Sequence, residues 1–194
     1  MIKTIFKNLV YTYYPKGVCD MNESEKYLNS AEYINLSNVI NNFINNEEAN
    51  NNYKMLFHEL KNYSFSHNIQ DVTLLNWKDR CLSFEIDKVE ENILYKICIH
   101  ISLLIPYYSI YILKNKVQFN PYKYLSSPKR NKSSEVKKFK KDLEKISSII
   151  HKCTYFNKFP EDFIHEIIPD VSFQNNRMGG FTFFNAFFLD DNKH

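Results

Sequence analysis

Residues 82–103 decide the fold, and they read LSFEIDKVEENILYKICIHISL. Apolar side chains occupy every second position over residues 82–86 and again over residues 93–103. A period of two residues places alternate side chains on opposite faces of a β-strand. We therefore predict two strands that pair antiparallel and are joined through residues 88–92.

More strand-like sequence lies on both sides of this pair. After Pro106, residues 107–113 form a β-rich run that is apolar on both faces, and residues 72–77 form a weaker candidate before the first strand. Strands that follow one another along the chain usually pair with one another. The centre of the chain is thus predicted to be an antiparallel meander of three to four strands.

The first third of the chain shows the helical spacing of apolar residues. A helix is predicted over residues 2–13, because its apolar stripe stops just before Pro15. A second helix is predicted over about 30–45, and a third apolar stripe follows over residues 53–60. We expect residues 50–52, which are all asparagine, to form the loop of an antiparallel helix pair.

Helical spacing returns after the strands. Residues 115–132 carry two prolines and no clear period, so we predict a long loop there. The helix that follows, over residues 136–150, is expected to be centred on Phe139 and Leu143. A shorter helix is predicted between Pro160 and Pro169. For residues 181–189 the pattern leaves strand and helix open.

The length of the chain favours one domain. A chain of 194 residues buries about 70% of the surface that its unfolded form exposes, so it can hold a sizeable core. We predict a single α+β domain over residues 1–194, with amino-terminal helices, a central antiparallel meander, and carboxy-terminal helices packed on the sheet.

The cysteines and the apolar runs favour a reducing compartment. None of the cysteines stands in a C-x-x-C pair; they are Cys19, Cys81, Cys98 and Cys153. Lys3 and Lys7 interrupt the apolar run that a signal peptide needs, and no stretch reaches the length of a spanning helix. We therefore expect free thiols and a cytoplasmic protein without a membrane segment.

The residues offer few candidates for catalysis or cofactor binding. His58 and His165 are each followed by Glu, but both pairs lack the second histidine of the zincin motif. With three glycines in the chain, a glycine-rich phosphate loop is excluded. We predict no catalytic residue, no metal ligand and no cofactor.

One pair of side chains leaves two interpretations open. Cys98 and His100 are two residues apart on a predicted strand, so both point to one face, with Ser102 beyond them and Cys81 on a neighbouring strand. A thiolate beside an imidazole can bind a metal or act as a nucleophile with its base. The favoured interpretation is a strand face packed under helices, because free cysteine is among the most buried residue types.

A basic segment spans residues 129–145, where eight Lys or Arg stand against three acidic residues. Such a segment can follow a nucleic-acid backbone. Arginine, which reads bases, is nearly absent from it, and the lysines fall on the solvent side of an amphipathic helix. A solvated helix face or a protein-docking surface is therefore the favoured interpretation.

Four stretches near the two ends of the chain carry a resemblance to a known family. They are YYPKG at 13–17, YLNSAEY at 27–33, IIPDVSFQ at 167–174 and FTFFNAFF at 181–188. They resemble the immunity proteins of bacterial polymorphic-toxin and type VI secretion systems, which Bacteroidota-type bacteria encode beside the toxins. The match covers roughly a quarter of the chain and rests on apolar and turn residues.

The resemblance implies an intracellular protein that binds one cognate toxin domain, neutralises it and is not an enzyme. Because this chain has a net charge of +3, we expect the toxin to present an acidic or neutral surface, or to contact only the local acidic segments of this chain. Since aromatic and charged residues dominate hot spots, the predicted partner-binding residues are Tyr107, Tyr108, Tyr111, Tyr122, Tyr124, Lys137, Lys138 and Lys141. The alternatives are a nucleic-acid-binding regulator that uses residues 129–145 and an enzyme of unrecognised type.

Overall fold

The α+β fold is confirmed by a computed structural model, which describes residues 2–63, 68–75, 79–116, 129–130, 133–174 and 176–190. Helices come first, the sheet follows, and helices return near the carboxyl end. In chain order the elements are α1 Ile2–Tyr13, α2 Ser24–Leu28, α3 Ala31–Asn45, α4 Glu47–Tyr63, β1 Asn68–Asp71, β2 Cys81–Glu90, β3 Ile93–Ser102, β4 Tyr107–Lys116, β5 Lys129–Arg130, α5 Ser133–Lys138, α6 Lys140–Thr154, β6 Asn157–Lys158 and α7 Phe183–Phe187.

The sheet is the predicted antiparallel meander with additions at its margins. Its strands follow the order β1-β2-β3-β4-β5, and the short β6 pairs parallel with β4. The connection between β2 and β3 is a two-residue turn and not the predicted connection through residues 88–92. Its two residues, Glu91 and Asn92, both take positive φ. The prediction of a strand at residues 72–77 is wrong for the described residues 72–75. The first strand ends at Asp71 and pairs with β2.

One face of the sheet is apolar and is covered by two helices. The register places Phe84 of β2 opposite Ile99 of β3, and Ile99 opposite Ile110 of β4. These side chains are buried together with Leu56 of α4 and Ile146 of α6. The carboxy-terminal helix therefore packs on the sheet as predicted, and α4 lies beside it.

The predicted helix over residues 136–150 is interrupted. The chain leaves the helical conformation at Phe139, so α5 ends at Lys138 and α6 begins at Lys140. The Phe139 ring is buried and packs edge-on against Tyr95 of β3, with 5.0 Å between ring centroids. Leu143 is only partly buried, so the centre of the apolar stripe lies at Ile146 and Ile150.

The helices before the sheet differ from the prediction in two places. Helices α1 and α3 agree with it, whereas α2 lies between the first two predicted helices, where the sequence pattern predicts no helix. The asparagines at 50–52 belong to α4, because the helix begins at Glu47. The Asn46 side chain accepts a hydrogen bond from the Ala49 amide, at 2.9 Å, and so caps the helix before the asparagines are reached.

The predicted helix between Pro160 and Pro169 is wrong. Its backbone pairs with the carboxy-terminal tail: the Ile168 amide donates to Phe181 O at 2.7 Å, and the Phe184 amide donates to Ile164 O at 2.8 Å. These bonds replace the ones that a helix would form within itself. The tail itself is helical from Phe183, and a capping box of Thr182 and Asn185 opens α7.

The two ends of the chain meet in a second core on the other side of the sheet. The Tyr14 hydroxyl donates to Ala186 O at 2.7 Å, and the Tyr27 hydroxyl donates to Ser172 O at 2.9 Å. Gly17, at φ 72°, donates its amide to Asp170 O. The four stretches that carry the family resemblance thus all contribute to one core.

Asp170 fastens the amino-terminal helix to this core. The Tyr11 hydroxyl of α1 lies 2.8 Å from both carboxylate oxygens of Asp170, and Lys16 Nζ lies 3.6 Å from one of them. Partial burial acts to raise the pKa of Asp170, but the hydrogen bond from Tyr11 and the charges of Lys7 and Lys16 outweigh it. The pKa therefore lies below its ordinary value.

We predict that Ile146→Ala lowers the free energy of unfolding by about 2–5 kcal/mol, because it removes a fully buried side chain between α6 and the sheet. Lys145→Ala, at the exposed neighbouring position, should change it by less than about 0.5 kcal/mol. Urea denaturation of both variants measures the difference. Equal losses would contradict the packing of α6.

We predict that Asp170→Asn lowers the stability by about 1 kcal/mol at neutral pH. Since the pKa of Asp170 is depressed in the folded state, its contribution is present above the unfolded pKa of about 3.9 and is lost as the pH falls through the folded pKa. The variant and the wild type should therefore converge in acid. Urea midpoints from pH ~7 to pH ~2.5 test this, with the exposed Asp162→Asn as the control. A gap that widens in acid would refute it.

Candidate functional site

The three described tyrosines of the predicted partner surface point into the fold. The Tyr107 ring packs against Phe6 and Phe159, with centroids 5.2 and 5.8 Å away. Tyr108 is 4% exposed, and Tyr111 is half-buried and hydrogen-bonded to His100. Tyr108 is not accessible to a binding partner, because the Tyr108 ring is buried in the apolar face of the sheet.

The remaining predicted residues are two tyrosines and three lysines. Tyr122 and Tyr124 lie outside the described residues. Lys137, Lys138 and Lys141 are exposed on α5 and α6. Lys138 forms an ion pair with Glu90 at 2.5 Å, and its Nζ lies 4.7 Å above the Tyr95 ring centroid. The lysines are therefore accessible, but Lys138 is already engaged within the chain.

The polar face of the sheet brings together residues that the sequence singled out. Cys98 and His100 point to one face, and Cys81 of β2 lies opposite Ser102 of β3. Ser83, which is not among the candidate residues predicted from the sequence, lies opposite His100. Strand alternation could have found it, because the register pairs these positions once the two-residue turn is known.

His100 is the centre of a hydrogen-bonded chain across three strands. Its Nδ1 lies 3.0 Å from the Ser83 hydroxyl and 3.9 Å from Cys81 Sγ, and its Nε2 lies 3.1 Å from the Tyr111 hydroxyl. The imidazole is 4% exposed, and the Phe184 ring of α7 packs edge-on against it. The chain of polar groups is thus enclosed between the sheet and the carboxy-terminal tail.

This enclosure sets what the cluster can do chemically. Burial raises the pKa of the Cys81 thiol to about 12, so the sulfur is protonated at neutral pH. The thiolate is the nucleophilic form of cysteine, and a protonated buried thiol is inert. Among the described residues, no three His, Cys, Asp or Glu side chains come together to hold a metal ion. The geometry fits a satisfied polar network in a core.

An open groove with a mainly apolar larger part lies at the opposite side of the sheet, where α4 meets the ends of β2 and β3. Two cavities of about 510 and 340 Å³ flank the Tyr53 ring and share Phe43, Tyr53 and Leu82 as walls. The larger one is completed by residues 153–156, at the end of α6 and just beyond it, and the smaller one by residues 73–75 after β1. We call the two cavities together the Tyr53 groove.

The rim of the Tyr53 groove carries exposed apolar side chains. Ile44 and Leu74 beside the smaller cavity are 38% and 57% exposed, and Tyr155 beside the larger one is 79% exposed. Asp71 lines the smaller cavity and accepts a hydrogen bond from the Tyr53 hydroxyl. None of the described residues lining either cavity is Lys or Arg. Sequence patterns missed this groove, because its walls come from distant parts of the chain.

None of the helices in the described part of the chain combines the length and the apolar character that crossing a bilayer requires.

We predict that thiol alkylation of the native protein separates the cysteines by burial. Cys81 and Cys98 are buried, while Cys19 and Cys153 are partly exposed. Cys19 should react first with iodoacetamide near neutral pH, and Cys81 and Cys98 should react only in denaturant, because neither reagent nor base reaches them. Peptide mass spectrometry reads out each site. Rapid alkylation of native Cys81 would show that the His100 cluster is open and reactive.

Comparison of the chain with protein-family models, curated proteins and solved structures gives no match. The resemblance to immunity proteins therefore stays a prediction, and the function is inferred from the geometry of the site.

Proposed function

We propose that this chain is an immunity protein that binds a cognate toxin domain through the Tyr53 groove and turns over no substrate. The observation that carries the proposal is the groove itself, a concavity of two adjoining cavities of which the larger is mainly apolar, with exposed aliphatic and aromatic side chains at its rim. Exposed apolar surface bounded by polar residues is typical of a protein-interaction site. The family resemblance near the chain ends points to the same class.

The walls of the groove are held by the core, which favours tight binding. Leu56 and Leu82, at the base of the larger cavity, are buried with the sheet residues, and the Tyr53 ring stacks on Phe84 at 5.8 Å. A surface that is already ordered loses little conformational entropy when a partner docks. An inhibitor that must capture a toxin at low concentration benefits from such preorganisation.

A nucleic-acid-binding regulator is the second candidate. It is supported by the pairing of β4 with β5, which sets Lys114 opposite Lys129 and Leu113 opposite Arg130 in the sheet. Against it, Lys138 and Lys140 of the basic segment form ion pairs within the chain. Retention on heparin that falls steeply with added salt would favour this candidate.

We predict that the chain rescues a bacterium from the toxin domain encoded beside its gene. Cells that express the toxin domain should survive when this protein is co-expressed, and the two proteins should co-purify in a one-to-one complex. Growth measurements and size-exclusion chromatography of the complex test this. Continued killing despite abundant soluble protein would refute the proposed function.

A matched pair of variants ties the rescue to the groove. Leu74→Asp places a charge at the rim of the smaller cavity, whereas Val89→Asp places one at the hairpin end of β2, away from the groove. Both residues are more than half exposed, so neither change should unfold the protein. Rescue should be lost with the first variant and kept with the second. Rescue that survives both would place the toxin on another surface.

A further inference from the structure

Tyr155 adopts a backbone conformation that its side chain disfavours. It caps the carboxyl end of α6 at φ 60°, ψ 15°, in the left-handed region, and its amide donates to His151 O at 2.8 Å. Glycine usually occupies this position, and asparagine sometimes, because a bulky side chain is strained there. The cap therefore does not require tyrosine and would form more easily without it.

The core does not require this tyrosine either. Its side chain is 79% exposed, the largest exposed fraction among the large apolar and aromatic residues described. The ring approaches His151 edge-on at 6.3 Å, and the residue lines the larger cavity of the Tyr53 groove together with Phe156 and Cys153. A strained residue with an exposed aromatic ring beside an apolar cavity indicates a use outside the fold.

We infer that Tyr155 is the anchoring residue of the toxin-binding surface, and that the toxin segment it holds carries a large apolar side chain with a Lys or Arg close by. The inference rests on the proposed function and adds to it the chemistry of the partner. Aromatic side chains beside a desolvated pocket are the usual hot spots of protein interfaces. The larger cavity, about 510 Å³, has room for a leucine- or phenylalanine-sized side chain beside Tyr155.

The charges around the groove give the second half of the inference. Asp71 lines the smaller cavity, and Glu47 and Glu48 open α4 just before Ala49, which lines the larger one. These carboxylates belong to α4 and β1, whereas the exposed Lys152 belongs to α6. A segment lying across both cavities therefore passes the carboxylates at the start of α4 and at the end of β1. A cationic side chain complements them there.

The test compares Tyr155→Gly with a control that relieves the same backbone strain elsewhere. Glu91 also has positive φ, at 51°, and lies in the β2–β3 turn at the far end of the sheet from the groove. Tyr155→Gly should raise the melting temperature by about 2–4 °C, because glycine accepts the left-handed conformation. It should also raise the Kd for the purified, catalytically inactive toxin domain by about 30-fold or more. Glu91→Gly should leave the Kd unchanged.

The possible results separate this inference from the proposed function. A wild-type chain that fails to bind the toxin domain overturns both. Binding by the wild type with an unchanged Kd for Tyr155→Gly overturns the anchoring role alone. A fall in melting temperature for Tyr155→Gly would show that the tyrosine serves the fold, which also overturns it.

The charge of the partner is tested with the double variant Glu47→Gln, Glu48→Gln. Calorimetry with the wild type should show binding that weakens as salt is added, because the rim carboxylates are solvent-exposed. The double variant should bind more weakly at low salt and show a smaller salt dependence. Equal affinity and equal salt dependence in the two proteins would refute a cationic residue at this rim.

Discussion

Strand β3 is buried on both faces, and the rest of the structure follows from that constraint. Ile97 and Ile99 face one way and Cys98 and His100 the other, yet all four are nearly inaccessible to solvent. A strand of this kind needs a layer on each side. Helices α4 and α6 supply the layer over the isoleucines, and the carboxy-terminal tail, packed with α1 and α3, covers the cluster around His100. The polar face tolerates burial because His100 is hydrogen-bonded from both ring nitrogens.

The sequence pattern predicts those elements whose apolar residues recur at a regular spacing because one face of the element is buried. Strands β2 to β4 and helices α1 and α3 were found because each buries a regular set of side chains. The segment between Pro160 and Pro169 also has helical spacing, but its backbone forms hydrogen bonds with residues 181–184. Local periodicity cannot reveal hydrogen bonds to residues that are distant in the sequence. The sequence pattern does not predict the Tyr53 groove for a related reason, since Tyr53, Leu74 and Tyr155 come together only in the folded chain.

The exposure predicted for the described tyrosines of the partner surface is also wrong. A tyrosine can bury its ring when its hydroxyl finds an acceptor, as those of Tyr14 and Tyr27 do.

The stretches that resemble immunity proteins and the Tyr53 groove share no residue. The four stretches contribute to the core where the two ends of the chain meet, whereas the groove is built from α3, α4, the strand ends, the end of α6 and the residues just beyond it. The stretches are residues 13–17, 27–33, 167–174 and 181–188. Under the proposed function, packing and recognition fall to separate parts of the chain. A scaffold arranged in this way can change the residues at its groove, and with them its partner, without disturbing the contacts that hold the scaffold together.

The hydrogen bond between Tyr14 and Ala186 joins residues 172 positions apart, and this separation governs when the protein can fold. The first helices leave the ribosome early, but the phenylalanines that complete their core lie at residues 181–188. Until those residues have been synthesised, the core that holds α1 and α3 lacks its carboxy-terminal part, and its apolar surface is incompletely covered. The amino-terminal core therefore assembles only after nearly all of the described chain has been translated. Because these contacts join residues that are far apart in the sequence, the formation of this core is one of the slower steps of folding.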